Sequence, residues 1–282
     1  VGLVPGDIRA ITSEHLEAAT GLGFSGVGFH LPGDLVDTIG DGDIDRCRSE
    51  LARCGVDLAQ FSITYRECLF GPDPAVRGLV VRKIERGAEI ARRLGAGHYL
   101  LRPGSLNPDG PWTPHRDNHR PESLDLLVET LRPVAARLES EDVTAVLEAH
   151  VVSILDSPET CRSVIEAVGR RHLRLVMDFV NQFESVRQVY DSAAHLGCIF
   201  DVVGPLAPVC HIKDIAVRNG LVVHIDEAVP GEGELDLPVA LKRFQDHHPD
   251  GYGLIEHLGS DDIPRAAMNV RRIAERAGVP IT

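Results

Sequence analysis

The feature that most narrows the fold is an alternation, kept from end to end, between short apolar runs and longer segments with helical periodicity. The runs are Phe24–Leu31, Val56–Ser62, Gly97–Arg102, Val143–His150, Leu173–Asn181, Ala207–Asp214 and Tyr252–Leu258. Several are apolar almost without interruption, as strands covered on both faces of a parallel sheet are. Between them, Val80, Ile84, Ala88, Ala91 and Leu94 keep one helical face, and so do Ile263, Ala267, Val270, Ile273 and Ala277. Gly55, Gly95 and Gly197 stand where helices should stop. Ser13 and Ser157 stand where helices should start, and Pro133 should kink the one over Ser123–Leu138. A further strand is expected near Val1–Pro5.

With that strand, the 282 residues divide into eight βα units of about 35 residues, which suits a (β/α)8 barrel of about 250 residues with insertions. The rival is a doubly wound open sheet, which should carry a G-x-G-x-x-G turn after its first strand; this chain has none. No Ser/Gly-rich or charged linker interrupts the chain. The expectation is therefore a single (β/α)8 TIM barrel domain over residues 1–282. Two connections are long, 103–121 (which holds the sole tryptophan, Trp112) and 214–235 with its strand-like piece LVVHIDEAV. Both follow strands, so both should overhang the C-terminal face, where such barrels build their sites, as a lid or a subunit contact.

Composition excludes several functions. A net charge of −13 is a poor match for a nucleic-acid partner, which is held by a surplus of Lys and Arg. The six cysteines form no C-x-x-C pair, which argues against a disulfide scaffold or zinc knuckle and for a reducing, cytoplasmic setting. No run approaches the roughly 18 apolar residues of a membrane span, and no secretory signal is visible.

Four successive runs finish in a metal-ligating side chain: VLE at Glu148, VMD at Asp178, VCH at His211 and LIE at Glu256. Three carboxylates converging on one rim would push one another toward protonation unless a cation sat among them. Carboxylates with one imidazole and no thiolate suit a hard six-coordinate ion such as Mn²⁺ or Mg²⁺ better than a closed zinc site. Side chains two apart on a strand share a face, so His150 should accompany Glu148 and Lys213 should accompany His211, as proton carriers or oxyanion donors. His30 and Arg102 end two other runs, and Asn181 follows Asp178 by three; these are candidate substrate contacts.

These residues carry a resemblance. VLEAH at Glu148, MDFVN at Asp178 and Asn181, HIKD at His211 and Lys213, PGEGELD at 230–236 and LIEH at Glu256 resemble, in that order, the xylose-isomerase-like TIM barrels of the sugar phosphate isomerase/epimerase superfamily. The resemblance implies a Glu–Asp–His–Glu site for one Mn²⁺, Mg²⁺ or Co²⁺ and a homo-oligomer. It also implies a keto-sugar, cyclitol or related polyhydroxy ketone as substrate. Glu148 and Glu256 would remove and return the α proton through a metal-stabilised enediolate, making an isomerase or epimerase. The ketose 3-epimerases of the family carry His where this chain has Asn181, and Arg where it has Val217. The E-x-H and H-x-K pairs also resemble metal-dependent 3-dehydroshikimate and inosose dehydratases, so a lyase is the alternative.

Overall fold

Each of the seven apolar runs contains a strand, and each pairs in parallel with the next such strand. The computed structural model describes residues 2–281. It forms two compact units, Leu3–Leu175 and Val176–Thr282, the latter together with the first two residues.

In the Leu3–Leu175 unit, helices and strands alternate. The order is α1 (Ser13–Gly21), β1 (Gly26–Leu31), α2 (Asp41–Cys54), β2 (Asp57–Ile63), α3 (Pro74–Leu94), β3 (His98–Leu101), α4 (Pro121–Ser140), β4 (Ala145–Leu147), α5 (Pro158–Val168) and β5, which runs Leu173–Met177 and so ends in the other unit. Helix boundaries follow local chemistry. Asp73 and Ser157 accept from the backbone N–H of Ala75 and Thr160. Pro74 and Pro158 follow them, where a missing N–H leaves no helical bond unmade. Gly55 and Gly95 close α2 and α3 with positive φ, a conformation open to glycine without strain. Thr12, not Ser13, caps α1, and α4 runs through Pro133 without a break in its assignment.

Side chains alternate along β1, β2 and β3. Phe29, Phe61 and Tyr99 form one buried aromatic row, with ring centroids 5.7 and 5.8 Å apart. The next residues, His30, Ser62 and Leu100, lie in register on the opposite side. Arg102, just past β3, reaches that second row by donating to Ser62 Oγ (3.4 Å) and Ile63 O (3.3 Å).

The Val176–Thr282 unit holds the end of β5, then α6 (Val186–Tyr190), α7 (Ser192–Val203), β6 (Val209–Ile212), β7 (Asp214–Val217), β8 (Ile225–Ala228), α8 (Leu237–His247), β9 (Gly253–Ile255) and α9 (Ile263–Ala277). The end of β5, β6 and β9 pair in parallel, whereas β7 and β8 form an antiparallel hairpin.

Three expectations fail. Residues 2–5 form no strand, and Val1 lies outside the described residues. Gly2 takes φ of +99°, Pro5 has no N–H for a ladder, and Gly6 passes so close to β1 that a Cβ would sit 2.3 Å from His30 O. Gly197 does not end a helix but lies inside α7, which closes at Gly204 before Pro205. The strand-like piece LVVHIDEAV within 214–235 is extended in a ladder only over Ile225–Ala228, paired with Asp214–Val217, and not over its whole length.

Gly87 of α3 is where helix and strand approach most tightly in this unit: a Cβ there would lie 2.2 Å from Tyr99 Oη and 3.1 Å from Ile63 Cγ2. Gly87→Ala should lower stability by about 1–3 kcal/mol, as overpacking does, seen as a lower urea midpoint. Adding Tyr99→Phe should return part of that loss. An unchanged midpoint for the single variant would show that the two elements do not pack this closely.

Candidate metal centre and its surroundings

In the Val176–Thr282 unit, three strands end at one cluster. Asp178 and Glu256 are the first residues past β5 and β9, His211 lies within β6, and Lys213 is the first residue past it. All four are buried, His211 completely. His211 Nδ1 stands 3.1 Å from Asp178 Oδ2 and 3.0 Å from Glu256 Oε2. Lys213 Nζ is 2.6 Å from the same Asp178 oxygen and 3.8 Å from Glu256 Oε2. The expectation that His211 and Lys213 act on one side is met, since both reach Asp178 Oδ2.

Burial alone would raise the Asp178 pKa. The Lys213 charge and the His211 hydrogen bond outweigh it and hold the carboxyl well below the usual carboxylate range. Asp178 Oδ1 is buried and makes no hydrogen bond, a state that is unfavourable in a low-dielectric interior. A ligand atom from each of Asp178, His211 and Glu256 lies within 4.8 Å of the others. Two carboxylates and an imidazole, dry and close together with a lone pair to spare, are a donor set that fits a hard divalent cation.

Two features around this cluster were not singled out in the sequence. Asp214 is a buried clamp: its oxygens accept from Ile215 N (2.9 Å), Gly231 N (2.9 Å), Gly233 N (3.0 Å) and Leu235 N (3.2 Å). Gly233 is required here, because a Cβ would fall 2.3 Å from Asp214 Oδ1. The PGEGEL stretch is thereby folded onto the residue next to Lys213. Its signal was present in HIKD followed by closely spaced glycines, a pattern that provides N–H groups free to converge on an anion. The second feature is His257. It takes φ of +58°, uncommon for a residue with a Cβ. Its Nδ1 is 2.7 Å from Glu227 Oε1 of β8, and its Nε2 is 3.9 Å from Glu256 Oε2. LIEH contains it, but nothing in the spacing distinguishes it from a turn residue.

In the Leu3–Leu175 unit, Glu148 is the first residue past β4 and is buried; its N–H donates to Leu101 O at 3.0 Å. His150 does not share a strand face with it, because β4 ends at Leu147. Instead a turn sets the ring. Val152 N–H donates to His150 Nδ1 at 3.2 Å, so a neutral imidazole carries its proton on Nε2. The Trp112 ring lies against His150, centroids 5.8 Å apart.

The connection that brings Trp112 there is held from within. Asn118, fully buried, donates to Ser105 Oγ (3.0 Å) and Val152 O (3.3 Å), and accepts from Leu106 N (3.0 Å). This 103–121 segment is thus tied to the turn that carries His150, which no sequence period could have revealed. Arg102 is half-buried; Tyr65 Oη accepts from its N–H at 2.9 Å and donates to its carbonyl at 2.7 Å. His30 is half-buried on β1, and Asn181 is buried in a short 3-10 turn, Val180–Gln182.

The cysteines are all free, four of them buried, as expected for a chain without a disulfide framework. Among the described residues, no helix is long and apolar enough to cross a membrane.

Comparison with known proteins places these sites in context. The family model for xylose isomerase-like TIM barrels matches residues 16–276, so the barrel fold expected from the strand–helix rhythm is the fold of the matching family. Among solved structures, a xylose isomerase-like TIM barrel protein from Mycobacterium smegmatis, in complex with magnesium, aligns with TM-score 0.72 and 18% identity, covering 96% of this chain and 90% of that one. The 3-keto-D-glucoside 4-epimerase of E. coli aligns with TM-score 0.70 and 16% identity over 96% of this chain and 95% of its own. A probable 3-DHS dehydratase of Bacillus anthracis gives TM-score 0.70 and 14% identity over 94% of each chain. Compared by sequence with curated proteins, the chain matches none.

The Glu227–His257 pair can be measured in solution. The hydrogen bond to Glu227 raises the His257 pKa above 6.5 against the opposing effect of burial. A raised pKa means that this pair supports the fold below the unfolded value and ceases to do so as pH rises through the folded one. In an NMR titration the His257 ring should change charge above 6.5, and Glu227→Gln should bring that midpoint down. A midpoint unmoved by the substitution would show that Glu227 does not hold the ring.

Proposed function

The chain belongs to the xylose isomerase-like TIM barrel family, and we propose that it is a metal-dependent isomerase or epimerase of a keto-sugar, cyclitol or related polyhydroxy ketone. In this reading one domain carries loops 103–121 and 214–235 at its C-terminal face. Asp178, His211 and Glu256, with Glu148 as fourth ligand, hold one divalent ion, Mn²⁺ before Mg²⁺ or Co²⁺. The observation that carries it is the buried set of Asp178, His211 and Glu256 at three strand ends, with Asp178 Oδ1 lacking any hydrogen bond. Structural ion pairs seldom bury two carboxylates around one imidazole in this way, because each left uncompensated is costly. When bound, the ion polarises the substrate carbonyl and makes the adjacent C–H more acidic, an effect worth several kcal/mol.

The chain's own residues then do the proton work. One of Glu148 and Glu256 removes the α proton and the other delivers one to the opposite face. Lys213, held beside Asp178, offers an ammonium to the developing oxyanion. Arg102, His30 and Asn181 hold substrate hydroxyls, and the Trp112 ring packs one side of His150. The protein acts on a small molecule, as a homo-oligomer in the cytoplasm, with no part for nucleic acid or membrane.

A second reading has one observation in its favour. Because Val152 N–H occupies His150 Nδ1, the neutral ring presents Nε2–H, which would hydrogen-bond a β-hydroxyl as it departs while the proton comes from the Lys213 ammonium. A dehydratase would use it with Lys213 after the same α-proton removal.

Chelation followed by Mn²⁺ addition, assayed on a panel of ketoses and cyclitol ketones in D₂O, tests both. The isomerase reading expects activity lost with EDTA, regained with Mn²⁺, one deuterium at the carbon beside the carbonyl, and product mass otherwise conserved. Loss of water from the product would select the dehydratase. Full turnover by the chelated protein would refute the metal-dependent reading altogether.

A further inference from the structure

The cation that the two buried carboxylates meet within the chain itself is Lys213. Its ammonium is 2.6 Å from Asp178 Oδ2 and 3.8 Å from Glu256 Oε2, and only 2% of its side chain is exposed. Water screens this contact little, and a buried carboxylate beside another is tolerable only with a positive charge at hand. His211 shares the same two oxygens through Nδ1, so the ammonium and the imidazole together saturate Asp178 Oδ2 and leave Oδ1 without a hydrogen bond. The Asp214 clamp fixes the backbone next to Lys213 through four N–H groups, so the chain from which the side chain reaches Asp178 is held.

We propose that Lys213 is the resident cation of the site: it holds the Asp178 and Glu256 carboxylates in place while no divalent ion is bound, and it weakens the ion's binding once one is. This rests on the metal-site reading above and goes beyond a role for Lys213 toward substrate. Two positive charges drawn to the same pair of carboxylates repel each other at short range. The lysine therefore exchanges affinity for preorganisation of the ligands. Lys213 acts here as a positioning residue, and its effect is read on the metal alone.

The experiment is calorimetric titration of Mn²⁺ into the metal-free wild-type protein, Lys213→Met and Lys213→Arg near neutral pH, with thermal unfolding of each with and without the ion. Lys213→Met should bind Mn²⁺ on the order of tenfold more tightly or better, since a like charge a few ångströms away is gone. Its unfolding temperature should rise more on Mn²⁺ addition than the wild type's, because the metal-free form alone has lost its counter-charge. Lys213→Arg should bind much as the wild type does. If Lys213→Met folds only when Mn²⁺ is present, the proposal is supported, since the ion then replaces the lysine. Equal or weaker binding by Lys213→Met, or failure to fold even in saturating Mn²⁺, overturns it. A wild-type protein that binds no Mn²⁺ refutes the metal site itself, a different result from either.

Discussion

Charge compensation in a dry place is the constraint on which the rest depends. Asp178 and Glu256 are buried within reach of the imidazole of His211 and the ammonium of Lys213, and against the opposing effect of burial the Lys213 charge and the His211 hydrogen bond hold the Asp178 carboxyl well below the usual carboxylate range. Those contacts are short, and they involve residues from three separate strand ends, β5, β6 and β9. Parallel pairing in register brings the ends together: Met177 pairs with Cys210, and Ile212 with Ile255. Each strand ends at or beside a ligand, so the ladder that makes the sheet also sets the spacing of the charges.

The connections then supply what the strands cannot. Asp214 gathers four N–H groups and folds the PGEGEL stretch back beside the backbone of Lys213. In the Leu3–Leu175 unit, Asn118 does the same for the segment carrying Trp112, tying it to the turn of His150. A connection held by a buried amide is a wall more than a lid. The two connections are thus placed by hydrogen bonds between buried side chains and backbone, whose geometry allows little play.

The sequence was legible where a period or a chain end carries the information. Seven apolar runs located seven strands, because a strand buried on both faces must be apolar throughout. The four candidate ligands stood out because polar side chains at the ends of such runs are conspicuous. Helix ends were readable at Ser157–Pro158 and at Gly55 and Gly95, where capping has a local cause. Gly197 misled because glycine tolerates a helix interior as well as its end, and only Gly204–Pro205 stops α7. Val1–Pro5 misled because three apolar residues with Gly2 and Pro5 look like a short strand until the pairing partner is asked for. The Glu148/His150 face argument failed for a simpler reason, since β4 stops one residue before Glu148. Asn118 and the Glu227–His257 pair lay beyond reading, because each acts between residues far apart in the chain, whereas the Asp214 clamp left a trace in HIKD and the closely spaced glycines that follow.

The point where the buried carboxylates and imidazole meet could hold a divalent ion, and crystals grown with Mn²⁺ test this directly through the metal's anomalous scattering. The account predicts one strong peak at bonding distance, about 2.0–2.6 Å, from Asp178, His211 and Glu256, with Glu148 as the fourth protein ligand. Manganese found only on surface carboxylates, with Asp178 and Glu256 still paired to His211 and Lys213 alone, would contradict it.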